Sequence, residues 1–411
     1  MNAPTFKFDR GMATTTWADP PVEFQFSGIR SDRRSGDLTA ELAVYVGSGQ
    51  SRGLLHRAKV NASSTRGQSE FSNHLDRRQK GPDWSGMLEV ACWRMIEASR
   101  RGDPAILLRD AAPPAGDTWI LPPLALSRLP VILFGDGGAA KSYVVLAAAL
   151  SIHTGQPYLG ITPSTKMRVA FLDWEFSAWE HRERMRRIVG DAELPDLCYV
   201  RCSMPLREEI DRLRGIIREF GIEYVIIDSI GFACEGPPEE AQSALGFFEG
   251  LRQLEVGALC TAHVNRMGDT ERPFGSTFWH NGARATWYVK KTQATGPSGL
   301  AVGLFNRKSN TGPLSPPIGF EIDFAGDQTT FSRRDVRDVP GLAAQLPLKA
   351  QVASALRAGP LTYHELAEEL GAPVDSIIQA VRRSEGKLFT KLTHTDDSVH
   401  RVALLTRQEV N

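Results

Sequence analysis

The 411-residue sequence has no excess of either charge: 48 Lys and Arg stand against 48 Asp and Glu. That balance excludes a globally basic coat for duplex DNA or an anionic membrane, so any nucleic-acid contact has to come from local patches. A long apolar run is also missing. No stretch approaches the roughly 18–20 uninterrupted apolar residues of a membrane span, and the opening MNAPTFKFDRGMATTTWADPP has no apolar signal-peptide core. The expectation is a protein of the cytoplasm without a membrane partner. Cysteine is scarce: Cys92, Cys198, Cys202, Cys234 and Cys260 are scattered and form no paired C-x-x-C arrangement, which excludes a disulfide framework and leaves free thiols. There is no internal repeat and no long low-complexity tract. What remains is a chain with 42% apolar residues, enough for the cores of two or three domains.

Hydrophobic patterning divides the chain into three parts. In residues 1–103, VEFQFSGI, LTAELAVYV and GLLHRAKVNASS alternate or run apolar at strand length. SGMLEVACWRMIEASRRGD repeats its apolar residues at helical spacing and ends at Gly102. This predicts a small β-rich unit closed by one amphipathic helix. The Pro-rich AAPPAGDTWILPPLALSRLP fits neither regular helix nor central strand, because each proline fixes φ and removes a donor. Residues 104–338 then alternate short apolar runs (VILFG, RVAFLDW, LCYVRC, YVIIDSI, ALCTAHV, ATWYVKK, GLAVGLFNRK) with amphipathic segments of helix length, the pattern of an α/β domain with a parallel sheet covered on both faces. Residues 346–411 read as three short helices and a hairpin, the order of a winged helix-turn-helix.

The strand VILF runs into Gly135, Asp136, Gly137, Gly138, Ala139, Ala140, Lys141, Ser142 and Tyr143, and a helix follows. Glycines let backbone amides turn inward around a polyphosphate, and the helix N-terminus adds its positive dipole end. ATP is the expected ligand, with Lys141 on the β- and γ-phosphates and Ser142 on a magnesium ion (Mg2+). Ala140 occupies the position where the G-x-x-x-x-G-K-[ST] pattern has Gly. A glycine-only conformation there would strain the loop.

Further strand ends supply partners. YVIIDSI ends in Asp228, suited to the magnesium hydration shell. FLDWEFS presents Asp173 and Glu175, which alternation puts on one side; Glu175 is the candidate general base and Asp173 its rival. ALCTAHV carries His263, placed to sense the γ-phosphate. The polar segment beyond it holds Arg266, Arg272, Gly275, Ser276, Asn281 and Arg284. GLFNRKSNTGP ends a late strand with Arg307 and Lys308, candidates for a cation that reaches a neighbouring subunit's γ-phosphate.

Taken in order, GDGGAAKS, FLDWEFS, YVIIDSI, TAHVNR, PFGSTFWHNGAR and NRKSNTGP resemble the RecA-like hexameric helicase superfamily, specifically the plasmid RepA-type and phage replicative ATPases related to the DnaB helicases, P-loop proteins of AAA-like type. The resemblance covers about residues 115–330. It implies a homo-hexameric ring with nucleotide at subunit interfaces, and loops after Asp228 and His263 that line a pore for single-stranded DNA. It carries Lys141, Ser142, Glu175, Asp228 and His263 into those roles. DnaB-type relatives place a Lys and an Arg two apart before Asn-Gly, whereas Lys308 is followed two later by Asn310, so the trans-acting cation is Lys308 or Arg307 alone.

In the C-terminal part, PVDSIIQAVRRSEG is the expected recognition helix, with Arg382 and Arg383 near its end and Lys387 and Lys391 leading into the wing. From Leu348 onward, eight basic residues face eight acidic ones, which suits a protein-docking wing that recruits a replication partner as well as a duplex reader. The expected activity is that of a DNA-dependent ATPase, a ring-forming replicative helicase of a phage or mobile element. Two alternatives are a RecA-like recombination mediator or helicase loader, and a nucleotide-gated DNA-binding regulator.

Overall fold

The computed structural model describes residues 3–9, 11–32, 34–101, 105–111, 118–264, 272–293, 299–393 and 400–405. The chain divides into two compact units, one of residues up to 115 with Glu208–Arg218 and Gln253–Glu255, the other of Gly116–Arg207, Glu219–Arg252 and Val256–Asn411.

The first unit carries an antiparallel five-stranded meander, β1 (Thr5–Asp9), β2 (Met12–Trp17), β3 (Val22–Ser31), β4 (Leu38–Val46) and β5 (Gly53–Asn61), followed by α1 (Thr65–Arg78) and α2 (Trp84–Arg101). Phe24, Phe26, Leu42 and Val44 on the sheet pack with Leu75 of α1 and Met87, Leu88, Ala91 and Met95 of α2. Two strands and one helix here exceed the sequence expectation. The first two strands alternate polar with apolar, β2 being rich in Thr, and α1 buries only Phe71, Ser72 and Leu75, so none of them shows a strong apolar signature.

The second unit opens with a two-stranded hairpin, β6 (Trp119–Leu121) and β7 (Ala125–Leu126), whose turn contains Pro122 and Pro123 of the Pro-rich stretch. Then come, in chain order, β8 (Pro130–Gly135), α3 (Lys141–Thr154), β9 (Val169–Asp173), α4 (Ala178–Val189), β10 (Cys198–Arg201), α5 (Leu206–Phe220, of which Glu208–Arg218 belongs to the first unit), β11 (Tyr224–Asp228), α6 (Ile230–Ala233), α7 (Ala241–Leu254) and β12 (Gly257–His263). After these follow α8 (Thr277–Gly282), β13 (Ala285–Gln293), β14 (Gly299–Ser309), β15 (Ile318–Asp323) and β16 (Thr330–Arg334). The strands form one nine-stranded sheet in the order β10-β9-β11-β12-β8-β13-β14-β15-β16.

This is an α/β core, but its sheet is mixed. Strands β10 to β13 in that order are parallel, while β14, β15 and β16 are antiparallel additions. The expectation of an all-parallel sheet is corrected by chain length: β13 ends at Gln293 and β14 starts at Gly299, too short a link for a parallel crossover of a dozen or more residues. α3 is apolar all round, with Val144 to Leu150 buried, because it lies inside the core rather than on its surface.

The chain ends with α9 (Pro340–Ala343), α10 (Leu348–Ala355), β17 (Leu361–Thr362), α11 (Tyr363–Leu370), α12 (Val374–Arg382), β18 (Phe389–Thr393) and β19 (His400–Leu404). The last three strands form an antiparallel sheet in the order β17-β19-β18. Val352, Leu366, Ile377, Val381, Phe389 and Val402 make a separate small core. A capping box between Thr362 and Glu365 starts α11, and Gly371 in the left-handed region stops it.

Candidate functional site

Parallel strands present their functional groups at their C-terminal ends, where ligands of open α/β sheets collect. The register of this sheet aligns those ends: Asp228 lies opposite Asp173, and His263 opposite Gly135. A pocket of about 270 Å³ opens there, lined among others by Gly138, Ala139, Ala140, Lys141, Ser142, Tyr143, Glu175, Asp228 and His263. Five of the expected catalytic and metal-holding residues, Lys141, Ser142, Glu175, Asp228 and His263, therefore share one cavity.

The phosphate loop turns tightly after β8. A Cβ on Gly135 would meet the Val289 carbonyl at 2.4 Å, and Gly138 has φ +69°. Gly137 and Asp136 are exposed at the bend, and Lys290 Nζ on β13 lies 3.9 Å from the Asp136 carboxylate. Ala140 adopts φ 65° and ψ 18°, the left-handed region that the missing glycine would favour. The deviation from the motif thus falls where a side chain costs most, about 1–2 kcal/mol for an L-residue. We expect Ala140→Gly to raise stability in urea titrations by about 0.5–1 kcal/mol, the strain relief outweighing the added freedom of the unfolded chain. A loss of stability in that variant would show that the loop is relaxed around alanine.

Lys141 is almost fully buried, and its Nζ donates to the carbonyls of Gly135 and Asp136, at 2.9 Å each. Burial lowers its pKa, opposed by the charges of Asp228, Glu175 and Asp136. The ammonium is thereby held against the loop, where a bound polyphosphate would meet it.

The two carboxylates of FLDWEFS separate cleanly. Asp173 ends β9 and is fully buried, accepting from the Glu175 amide at 3.0 Å, from the Phe176 amide at 3.0 Å and from the Tyr199 hydroxyl at 3.0 Å. Its carboxylate is committed to shaping the turn. Glu175 lies just beyond the strand, exposed to the pocket, and its Oε1 accepts from the Ser229 hydroxyl at 2.6 Å. A capping box between Ser177 and Glu180 then starts α4, fixing the chain directly after Glu175.

Asp228 ends β11 almost fully buried, with one carboxylate oxygen accepting from the Thr261 hydroxyl of β12. Its other oxygen, Oδ2, has no hydrogen-bond partner among the described residues. A buried carboxylate oxygen left unsatisfied costs free energy unless a ligand completes it. This donor set fits magnesium: the ion keeps several waters and binds through one or two protein groups plus substrate phosphates. Among the described residues no cluster of three or more His, Cys, Asp or Glu offers an all-protein cage. Asp228 and Ser142 are the residues that would hold the ion.

Arg184 of α4 also lines the pocket, a cation in cis that sequence patterns do not single out. Its guanidinium sits 4.5 Å from the Phe176 ring centroid and 5.1 Å from that of Tyr143, held by cation–π contacts. The pocket's apolar wall comes from Leu300 and Phe324, the latter packed edge-on against Tyr143 at 5.1 Å. Leu300 comes from β14, Phe324 from just after β15 and Arg184 from the middle of α4, so only the assembled fold brings them to the loop.

Arg307 and Lys308 lie outside this pocket. Lys308 Nζ donates to the carbonyls of His280, Asn281 and Ala283 at 2.8, 2.9 and 2.7 Å, tying β14 to the end of α8. Arg307 is half-buried with its guanidinium over the rings of Tyr288 and Phe305. Ser276 caps α8 by accepting from the Phe278 amide, Gly275 has φ +98°, and the Arg284 amide donates to the Pro130 carbonyl. Arg266 lies outside the described residues.

Residues 98–269 match the protein family described as AAA domain. The segment is similar to P-loop ATPases. The match spans the phosphate loop, Glu175, Asp228 and His263, and ends before Arg307 and Lys308. No curated protein matches the chain. Solved structures do match, among them a KaiC-like protein from the hyperthermophilic archaeon Pyrococcus horikoshii OT3, 16% identical with a TM-score of 0.39 over 51% of this chain and 91% of that one. No helix among the described residues is long and apolar enough to cross a membrane.

Proposed function

We propose that this chain is a DNA-dependent ATPase, most concretely a ring-forming replicative helicase of a phage or mobile element that couples ATP hydrolysis to movement on single-stranded DNA. The observation that carries the reading is the convergence of Lys141, Ser142, Glu175, Asp228 and His263 on one pocket while Arg307 and Lys308 stand apart from it. In such a site Lys141 and the loop amides bind and orient the β- and γ-phosphates. Asp228 and Ser142 would hold magnesium, which when bound would neutralise phosphate charge. Glu175, exposed and oriented by Ser229, accepts the proton of the attacking water. Arg184 adds positive charge from the same chain.

His263 stands on the pocket rim at the end of β12, one strand-end away from the loop, and is suited to relay the presence of the γ-phosphate to the segment that follows it. A neighbouring subunit in a homo-hexameric ring would supply the further cation, Arg307 or, once its ammonium is released from the carbonyls of His280, Asn281 and Ala283, Lys308. The C-terminal helices and strands are read as a winged helix-turn-helix that docks DNA or a replication partner.

The test is ATP hydrolysis with and without single-stranded DNA at moderate salt, followed by strand displacement on a forked duplex. Stimulation of several-fold and unwinding are expected. Hydrolysis indifferent to DNA, with no displacement, would replace the motor by the nucleotide-gated regulator.

A further inference from the structure

We propose that a basic groove formed by β16, the turn after it and α10 binds the phosphodiester backbone of duplex DNA. Two cavities of about 600 and 440 Å³ adjoin there and share Arg337 and Ala350 in their walls. Among the described residues, Arg333, Arg334, Arg337, Lys349 and Arg357 line them, against the single carboxylate of Asp335. In a chain whose formal charge is zero, a concave wall with five cations and one acid focuses positive potential on one place.

The cations are not equivalent. Arg334 is paired with Glu321, its Nε donating at 2.7 Å, and Arg337 Nε donates to both oxygens of Asp335 at 2.9 Å. Those pairs brace the wall. Arg333, Lys349 and Arg357 are exposed and form no salt bridge among the described residues. Arg333 is further positioned by lying 5.2 Å over the ring of Phe320.

The lining chooses among polyanions. Among the described residues it contains no aromatic side chain, and Phe320 beneath Arg333 is fully buried, so the groove offers no platform for the stacked bases on which single-strand binders rely. Nor does it offer the exposed aromatic anchors that carry protein interfaces. Spaced cations without salt-bridge partners on an aliphatic wall fit a backbone of regularly repeated phosphates, which gains affinity by releasing counterions. The inference stands apart from the ATPase reading. It also moves the duplex contact from Arg382 and Arg383, at the end of α12, to α10 and the strand before it.

The test uses the full-length protein and fluorescence anisotropy of a labelled duplex and of a labelled single strand of mixed sequence, titrated across salt. Lys349→Gln/Arg357→Gln and Arg333→Gln/Lys349→Gln/Arg357→Gln are compared with Arg382→Gln/Arg383→Gln. The groove variants should weaken duplex binding about tenfold or more near 0.1 M salt, with the log–log salt slope falling by about 0.9 for each phosphate no longer neutralised. Their ATP hydrolysis without DNA and their urea midpoints should match wild type, which distinguishes removal of a phosphate partner from damage to the fold. Duplex binding unchanged in the triple variant, or abolished instead in Arg382→Gln/Arg383→Gln, overturns the proposal. Single-strand binding that falls while duplex binding holds overturns it too.

Discussion

Replacing Glu175 by Gln should leave ATP binding within about twofold of wild type while lowering the rate of hydrolysis about 10²- to 10⁴-fold, the range for removing a positioned general base. Glutamine keeps the shape and still accepts from the Ser229 hydroxyl, so the 2.6 Å hydrogen bond that orients the side chain survives and only basicity is removed. Nucleotide binding rests on other residues, chiefly Lys141 and the loop. Equilibrium binding of a fluorescent ATP analogue, measured beside steady-state phosphate release, separates the two effects. Hydrolysis within about threefold of wild type would remove Glu175 from the mechanism.

The second large effect lies two residues earlier and is of a different kind. Asp173→Ala should cost about 3 kcal/mol of stability, as when one partner is removed from a buried ionic network. The amides of Glu175 and Phe176 and the Tyr199 hydroxyl would lose their shared acceptor, and Arg201, 3.6 Å away, its counter-charge. The His181 ring, with Nε2 at 3.4 Å, would lose its neighbour as well. Burial pushes the Asp173 pKa up, but the His181 ring and the two amides outweigh it and hold the carboxyl below its usual value. A lowered folded-state pKa means the contribution is fully present above the ordinary carboxyl value of about 4 and fades as pH falls through the lower folded value. The urea-unfolding gap between wild type and Asp173→Ala should therefore be constant from neutral pH to about 5 and narrow below about 4. A gap that widened on acidification would mean that Asp173 is neutral in the folded protein.

These two carboxylates show where the sequence is informative. GDGGAAKS and YVIIDSI are legible because phosphate binding needs contiguous residues at fixed spacing between a strand and a helix. Asp173 and Glu175 are both visible as acids at a strand end, and alternation alone puts them on one side. The structure separates them because β9 stops at Asp173, after which the chain turns around that carboxylate and the period of two no longer applies. Arg184 is illegible for the opposite reason: it is one of several arginines on a charged helix, distinguished only by the rings of Phe176 and Tyr143 that flank it. Lys308 is legible as a cation near a strand end, but not its three carbonyl partners, which belong to a segment more than twenty residues earlier. The antiparallel edge of the sheet has a signal in the five-residue spacing between β13 and β14, which apolar content alone does not weigh.

The matching of Asp228 with Asp173 and of His263 with Gly135 across neighbouring strands makes the site tolerant of some changes in chain length and intolerant of others. One residue inserted in β11 would turn every later side chain of that strand to the opposite face, carrying Asp228 away from Ser142 while leaving the strand itself well formed. The same insertion in the segment between α3 and β9 would be absorbed before the next strand begins. Natural variation in length among proteins built this way should therefore gather between the strands, and the strands themselves should keep their residue count even where their apolar side chains are exchanged.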